Sequence, residues 1–275
     1  MNAPLRADSI LSFPPGGPVK PIGLFAATRW ELNAVLQTIT PYTKQSVNGV
    51  CYWAGGRGPV PCRVIRSGIG PRNAEAAGRA ILAAMPLSAI ISTGFACALN
   101  DAQVGDLLLG TEVLGDPGRH EPLVCAAQWT ARAVQISKEA GIRAAAGRFV
   151  CRPRVLCRGE EKRALAAASG AIALDMESAA LAMVARDAAI PFAIVRAVSD
   201  RRDEDLPLDF NLFLRPTGWI AGAISCLSHP SSLAGLSRLR TQSRIAATHL
   251  TRFHERYLDA LGDLDQLRTA SGAAS

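Results

Sequence analysis

Apolar and polar positions along the chain switch between two periods, and each switch marks an element. Residues 21–27, PIGLFAA, form the short unbroken apolar run of a buried strand, and TRWELNAVLQTI behind it spaces its apolar residues as a helix does. PCRVIRSGIG (61–70) reads as a strand feeding a glycine turn. Pro71 suits a first helical turn, and RNAEAAGRAILAAM continues that helix. The apolar run 87–91 ends in STGFACALN, VGDLLLGTEVL (104–114) reads as another strand, and a looser stretch runs to about 165. AIALDMES then opens a helix of Ala, Leu and Met, and PFAIVRAVSD (191–200) reads as a strand.

Greasy strands alternating with helices predict an α/β fold. The expectation is a single-domain three-layer αβα sandwich with a twisted, mostly parallel (mixed) central sheet, plus a C-terminal helical extension. Residues 1–20, with their Pro/Gly cluster, read as a flexible leader, 21–227 as the domain and 228–275 as the extension. Ligands of such sheets collect at the carboxyl ends of the strands. Those ends carry Thr28–Glu31, Ser67–Arg72, Ser92–Cys97, Asp175–Glu177 and Ser199–Asp200, so one pocket is expected to gather them.

Composition narrows the class. With 49% hydrophobic, 19% charged and only 5% aromatic residues, the chain suits a soluble globule whose core is Ala, Leu, Ile and Val. The net charge is +7, and lysine occurs only at Lys20, Lys44, Lys138 and Lys162, which leaves 26 of 30 cations as arginine. These are scattered, without a basic stretch interleaved with aromatics, so no nucleic-acid partner is expected. Seven cysteines, odd in number and without a CxxC pair, argue against a disulfide framework or a zinc site and fit a reduced, cytoplasmic setting. The four histidines offer only a remote i, i+5 pair, so no metal is expected. The N-terminus lacks the apolar region of a signal peptide. Ile81–Leu99 is interrupted by Pro86 and polar residues, which excludes a membrane span there.

Each candidate for chemistry has a plainer alternative. Thr28-x-x-Glu31 is a capping box as well as an acid at the sheet edge. Asp200 is either a strand-end turn residue or, with a raised pKa, a general acid. Glu177, read as one turn into its helix, and Asp175, nearer the cap, fit an N-terminus favoured by the helix dipole. Met176 reads as core. SGIGPRNA resembles a phosphate-cradling turn but matches neither a Walker A motif nor GxGxxG. DRRDEDLP after Ser199 reads as a solvated charged loop fit to act as a lid.

Together FAATRWEL, SGIGPRNA, STGFACALNDAQVGDLL and ALDMESAALAMVARDAAIPFAIVRAVSD, in that order, resemble the purine nucleoside phosphorylase/nucleosidase superfamily, most of all its methylthioadenosine/S-adenosylhomocysteine nucleosidase branch. The resemblance spans about residues 21–227 and is most specific over 173–200. It implies a homodimeric enzyme that cleaves the N-glycosidic bond of a purine nucleoside through an oxocarbenium-like transition state, without a metal or cofactor. By that likeness Asp200, beside Ser199, is the acid at purine N7, and Glu31 positions or deprotonates the attacking water. Glu177 binds the ribose hydroxyls, Met176 packs on the sugar, and Thr93 and Gly94 of STGFACA wall the nucleophile site. Val155 and Leu156 stand where the nucleosidases stack an aromatic residue on adenine, so aliphatic contact is expected there. Arg29, Gly70 and Arg72 are candidates to bind inorganic phosphate as a co-substrate, whereas Glu31 favours water.

Leu250, Phe253, Tyr257 and Leu261 recur at helical spacing beside Arg238, Arg240, Arg244, Arg252 and Arg256. Such a stripe fits an anionic membrane, a partner subunit or the chain's own domain. The tail, the FAATRWEL start and the aliphatic base region resemble the hopanoid-associated phosphorylase branch, which implies a lipid-linked nucleoside, adenosylhopane, as substrate and an enzyme peripheral to the inner membrane. The alternatives are a methylthioadenosine/S-adenosylhomocysteine nucleosidase and, from another class, a non-catalytic nucleoside-binding or membrane-associated scaffold.

Overall fold

The structure, a computed structural model, describes residues 19–115, 121–206, 211 and 230–272. Residues 1–18 of the expected leader, and 212–227 at the end of the expected domain, lie outside the described residues. In chain order the elements are β1 (Ile22–Ala26), α1 (Arg29–Leu36), β2 (Tyr42–Val47), β3 (Val50–Arg57), β4 (Val60–Arg66), α2 (Pro71–Ala84) and β5 (Ala89–Ala98). There follow β6 (Leu107–Leu114), β7 (Leu123–Val124), α3 (Ala127–Glu139), β8 (Ala144–Cys151), α4 (Gly159–Ser169), β9 (Ala173–Asp175), α5 (Ser178–Asp187), β10 (Phe192–Asp200) and α6 (Pro230–Gly272).

The strands form one mixed sheet in the order β10-β6-β8-β9-β5-β1-β4-β3-β2, with β7 beside β6. An additional pairing of β10 with β5 closes β5, β10, β6, β8 and β9 into a ring. Parallel pairs centre on β1, β5 and β10, and the β2–β3–β4 edge is antiparallel. The unbroken apolar runs have a direct physical cause: neighbouring side chains of a strand point to opposite faces. Leu24, Val64, Ile91, Leu109 and Val195 enter the core under α1, α3 and α6. Phe25, Ile65, Ile90, Leu108 and Ile194 enter the core under α2 and α5. Helices on both faces make the three layers.

The apolar stripe of the C-terminal extension lies inside the first of these cores. Leu250, Phe253, Tyr257 and Leu261 are buried against the chain's own domain, with Phe253 stacked on Tyr257 at 5.1 Å. The Tyr257 hydroxyl donates to Trp129 O (3.1 Å), and Arg57 grips Asp259 with two hydrogen bonds (2.7 and 2.9 Å). Of the three surfaces that the stripe fits, its own domain takes Leu250, Phe253, Tyr257 and Leu261. Among the described residues no helix is long and apolar enough to cross a membrane.

The charged loop 201–206 keeps Arg201, Asp203 and Asp205 exposed to solvent but is anchored through Glu204 and Asp205. Glu204 is buried and accepts from Gln242 (2.9 Å) and pairs with Arg238 (2.9 Å) of α6, while Asp205 takes the Gly159 N–H (2.8 Å). The looser stretch before 165 contains β7, α3, β8 and α4. Residues 42–57 form a hairpin whose turn, Asn48-Gly49, has positive φ at both positions (49° and 77°), the geometry for which Asn-Gly is the preferred pair.

Candidate active site

The carboxyl ends of β1, β5, β9 and β10 meet around a cavity of about 350 Å³, whose lining includes Glu31, Glu177, Asp200, Ser199, Met176, Val155 and Leu156. Seven residues expected from the sequence are therefore brought together. The acids form two charged clusters, one around Arg196 and one around Lys162.

Glu31 starts the first cluster. The capping box is real: Thr28 N–H and Oγ1 donate to Glu31 Oε2 (2.7 and 2.8 Å), and Glu31 N–H donates to Thr28 Oγ1 (3.3 Å). The other oxygen, Oε1, accepts from Phe95 N–H at 2.7 Å. Capping and site placement are thus served by the same carboxylate. Gly94, next to Phe95, has φ of +146°, and a Cβ there would collide with Glu31 Oε1 and come within 2.6 Å of Arg196 Nη1. Gly94 lies opposite Arg196 in the β5–β10 register, so the absent side chain makes room for the guanidinium.

Arg196 is 1% exposed, and Asp175 (2.8 Å), Glu177 (3.6 Å) and Glu31 (3.7 Å) surround it. It also donates to Ser92 Oγ (2.8 Å) and Thr93 O (3.2 Å). A buried guanidinium is costly without such partners, and a buried carboxylate equally so. The two acids of LDMES therefore face Arg196. Asp175 ends β9 and accepts from the Ser178 hydroxyl and from Ser178 N–H (3.3 Å), which makes it the side chain that caps α5. Glu177 is the N-cap residue itself rather than one turn in, and its side chain turns into the cavity. Burial pushes its pKa up to about 7; Arg196 and the Gly70 N–H oppose that shift, while Asp175 and Glu31 add to it.

Gly70 N–H donates to Glu177 Oε1 at 2.8 Å. The turn that resembled a phosphate cradle thus presents its N–H to a carboxylate of the protein. Arg29 and Arg72 are exposed and outside the cavity lining. Thr93 is fully buried and its hydroxyl is 2.7 Å from His254 Nε2 of α6, so it braces β5 from behind and does not line the cavity.

The second cluster holds Asp200. A bulge between Val198 and Asp200 interrupts the alternation of β10 where the acid is carried, the usual device for re-aiming a side chain. Asp200 Oδ1 accepts from Ser199 Oγ (2.9 Å) and Oδ2 from Lys162 Nζ (2.7 Å). Val155, anchored by Asn211 through two hydrogen bonds (2.8 and 2.9 Å), and buried Leu156 supply aliphatic wall. Ile69, Phe95, Leu206 and, from α6, Leu239 and Ser243 extend it.

Sequence reasoning missed Arg196, Lys162, Phe95 and the contribution of α6. For Arg196 a signal existed, a lone charge inside the apolar run PFAIVRAVSD. Lys162 follows Glu160 and Glu161 in a helix and reads as surface.

A mixed α/β sheet that gathers four acids around one cavity at its edge, beside a buried arginine, has the form of an enzyme active site. The chain belongs to the Phosphorylase superfamily, whose family profile matches residues 21–215. A 5′-methylthioadenosine/S-adenosylhomocysteine nucleosidase of Shewanella piezotolerans is 27% identical over 220 residues, 72% of this chain and 93% of that one. Two Helicobacter pylori structures share the fold. A 5′-methylthioadenosine/S-adenosylhomocysteine nucleosidase has a TM-score of 0.72 and 18% identity, covering 89% of this chain and all of that one. A futalosine hydrolase has a TM-score of 0.71 and 18% identity, covering 88% and 98%.

Proposed function

We propose that this enzyme hydrolyses the N-glycosidic bond of an adenine nucleoside with a thioether at C5′, as a 5′-methylthioadenosine/S-adenosylhomocysteine nucleosidase does. The observation that carries the reading is the convergence of Glu31, Glu177 and Asp200 on one cavity. Adenine leaves readily only when its ring is protonated or hydrogen-bonded at N7, the task of Asp200. As the bond lengthens, the sugar gains positive charge, which the carboxylates around Arg196 stabilise. Glu177 takes the ribose hydroxyls, and Glu31 removes the proton of the attacking water. Met176, Val155 and Leu156 pack on sugar and base.

Electrostatics favours water as the nucleophile over phosphate. Arg196 is shared by three carboxylates, so an anion placed beside Glu31 and Glu177 would meet like charge. The test is adenine release from 5′-methylthioadenosine, with and without phosphate, by wild type and Asp200→Asn. Loss of a general acid costs about 10²–10⁴-fold in rate. Tight binding without release, or release that requires phosphate and yields a sugar phosphate, would overturn the reading.

A second reading, a nucleoside with a lipid tail such as adenosylhopane, draws on one observation. Leu239 of α6 lines the cavity together with Leu206, while Arg240 and Arg244 stand exposed on the same helix. A tail leaving past Leu239 would emerge beside cationic surface suited to anionic headgroups. Under this reading kcat/KM rises with alkyl length at C5′, and Leu239→Glu removes the gain. Under the first reading the methylthio substrate is preferred throughout.

A further inference from the structure

Lys162 has no place in the chemistry above, yet it is fully buried in the first turn of α4. Its ammonium group has three protons and three acceptors: Asp200 Oδ2 (2.7 Å), Glu204 O (2.8 Å) and Arg201 O (3.2 Å). Burial works against its charge, but Asp200, Cys97 and Glu204 outweigh it and raise its pKa. The groups facing this pair from neighbouring elements are Cys97 of β5 and the buried carboxylate of Glu204, which is itself paired with Arg238 of α6 and lies 3.8 Å from Arg201.

The consequence is orientational. Asp200 Oδ1 is held by Ser199 and Oδ2 by Lys162, so the carboxyl plane cannot turn about its last bond. The two backbone carbonyls bound to Nζ also fix the chain that leaves the acid, and Glu204 passes that constraint to α6 beside Leu239 and Ser243. A surface lysine forming an ordinary ion pair would leave both free.

We propose that Lys162 is a positioning residue for base departure, holding Asp200 in the single orientation from which it meets the purine. The inference rests on the reading of Asp200 as the acid. Misplacing a reacting group by about 1 Å costs about 10²-fold in rate. Lys162→Met should lower kcat by about that factor with KM within about twofold, because the contacts to ribose are untouched. Lys162→Arg, which keeps a cationic donor, should recover part of the loss. The decisive measurement is a cycle with Asp200→Asn: groups that act as one unit are non-additive, so the double variant should be no slower than Asp200→Asn alone.

Unchanged kcat in Lys162→Met, or losses that multiply in the double variant, would overturn the proposal. If Asp200→Asn alone matches wild type, the acid reading falls instead. Urea midpoints separate misfolding from a kinetic effect. Should the Met variant fail to fold, Lys162→Gln, which keeps donors for the carbonyls, takes its place in the same cycle with the same expected outcomes.

Discussion

Replacing Glu177 with Gln tests the electrostatic account of the site most directly. Gln keeps the shape and an acceptor for the Gly70 N–H, and it removes the ionisation. The Glu177 carboxyl is moved from an ordinary 4.5 to about 7, burial being the chief cause. At 1.36 kcal/mol per pH unit, that displacement corresponds to about 3 kcal/mol of folding free energy. The folded state binds this proton more tightly than the unfolded chain. The stabilisation is therefore fully present below pH 4.5 and is lost as pH rises towards 7. Gln mimics the protonated form at every pH and is spared the loss. Urea unfolding at intervals from pH 4.5 to 8 should show the variant gaining about 3 kcal/mol on wild type across that window, with equal denaturant slopes. A difference that stays flat within about 1 kcal/mol would mean that Glu177 is solvated or paired in a way the cluster around Arg196 does not describe.

Three further outcomes follow from the same contacts. Arg196→Met strips the shared cation from Glu31, Asp175 and Glu177, and breaking a buried ion pair from one side costs about 3–5 kcal/mol, read from the urea midpoint at pH 7. Gly94→Ala puts a methyl group into Glu31 and strains the backbone by about 1–3 kcal/mol; adenine release should fall further than the melting temperature suggests. Phe253→Ala should destabilise the fold by about 3–5 kcal/mol, the usual cost of emptying a buried aromatic site, and a loss under about 1 kcal/mol would show that α6 is not part of the core.

Much of this architecture was legible in the letters because strands buried on both faces read as plain apolar runs, and because polar residues at their carboxyl ends must gather somewhere. Glu31, Glu177 and Asp200 belonged to that pattern. Other features needed contacts distant in sequence. Glu177 was placed one turn too deep because DMES offers several residues as a helix start, and the choice between them is made by Asp175, which serves the Ser178 N–H. The Asn48-Gly49 hairpin went unread: its turn pair was a signal, but most of β2 is exposed and carries little apolar pattern. Arg29 and Arg72 were offered to phosphate by proximity in sequence alone, and both side chains point to solvent. The stripe of α6 has the same spacing whether it meets lipid or protein; the ring of Trp129 and the hydroxyl-to-carbonyl bond of Tyr257 show which it meets.

The double engagement of Glu31 limits how this enzyme can be re-engineered. One oxygen closes the start of α1 and the other is held by the β5 backbone, so the proposed base has no spare rotamer. Exchanging it for a group suited to a different nucleophile would remove half of the capping box of α1 in the same stroke, at a cost of about 1 kcal/mol. A successful redesign must supply a new helix cap and a new acceptor for Phe95 before it can change the reaction.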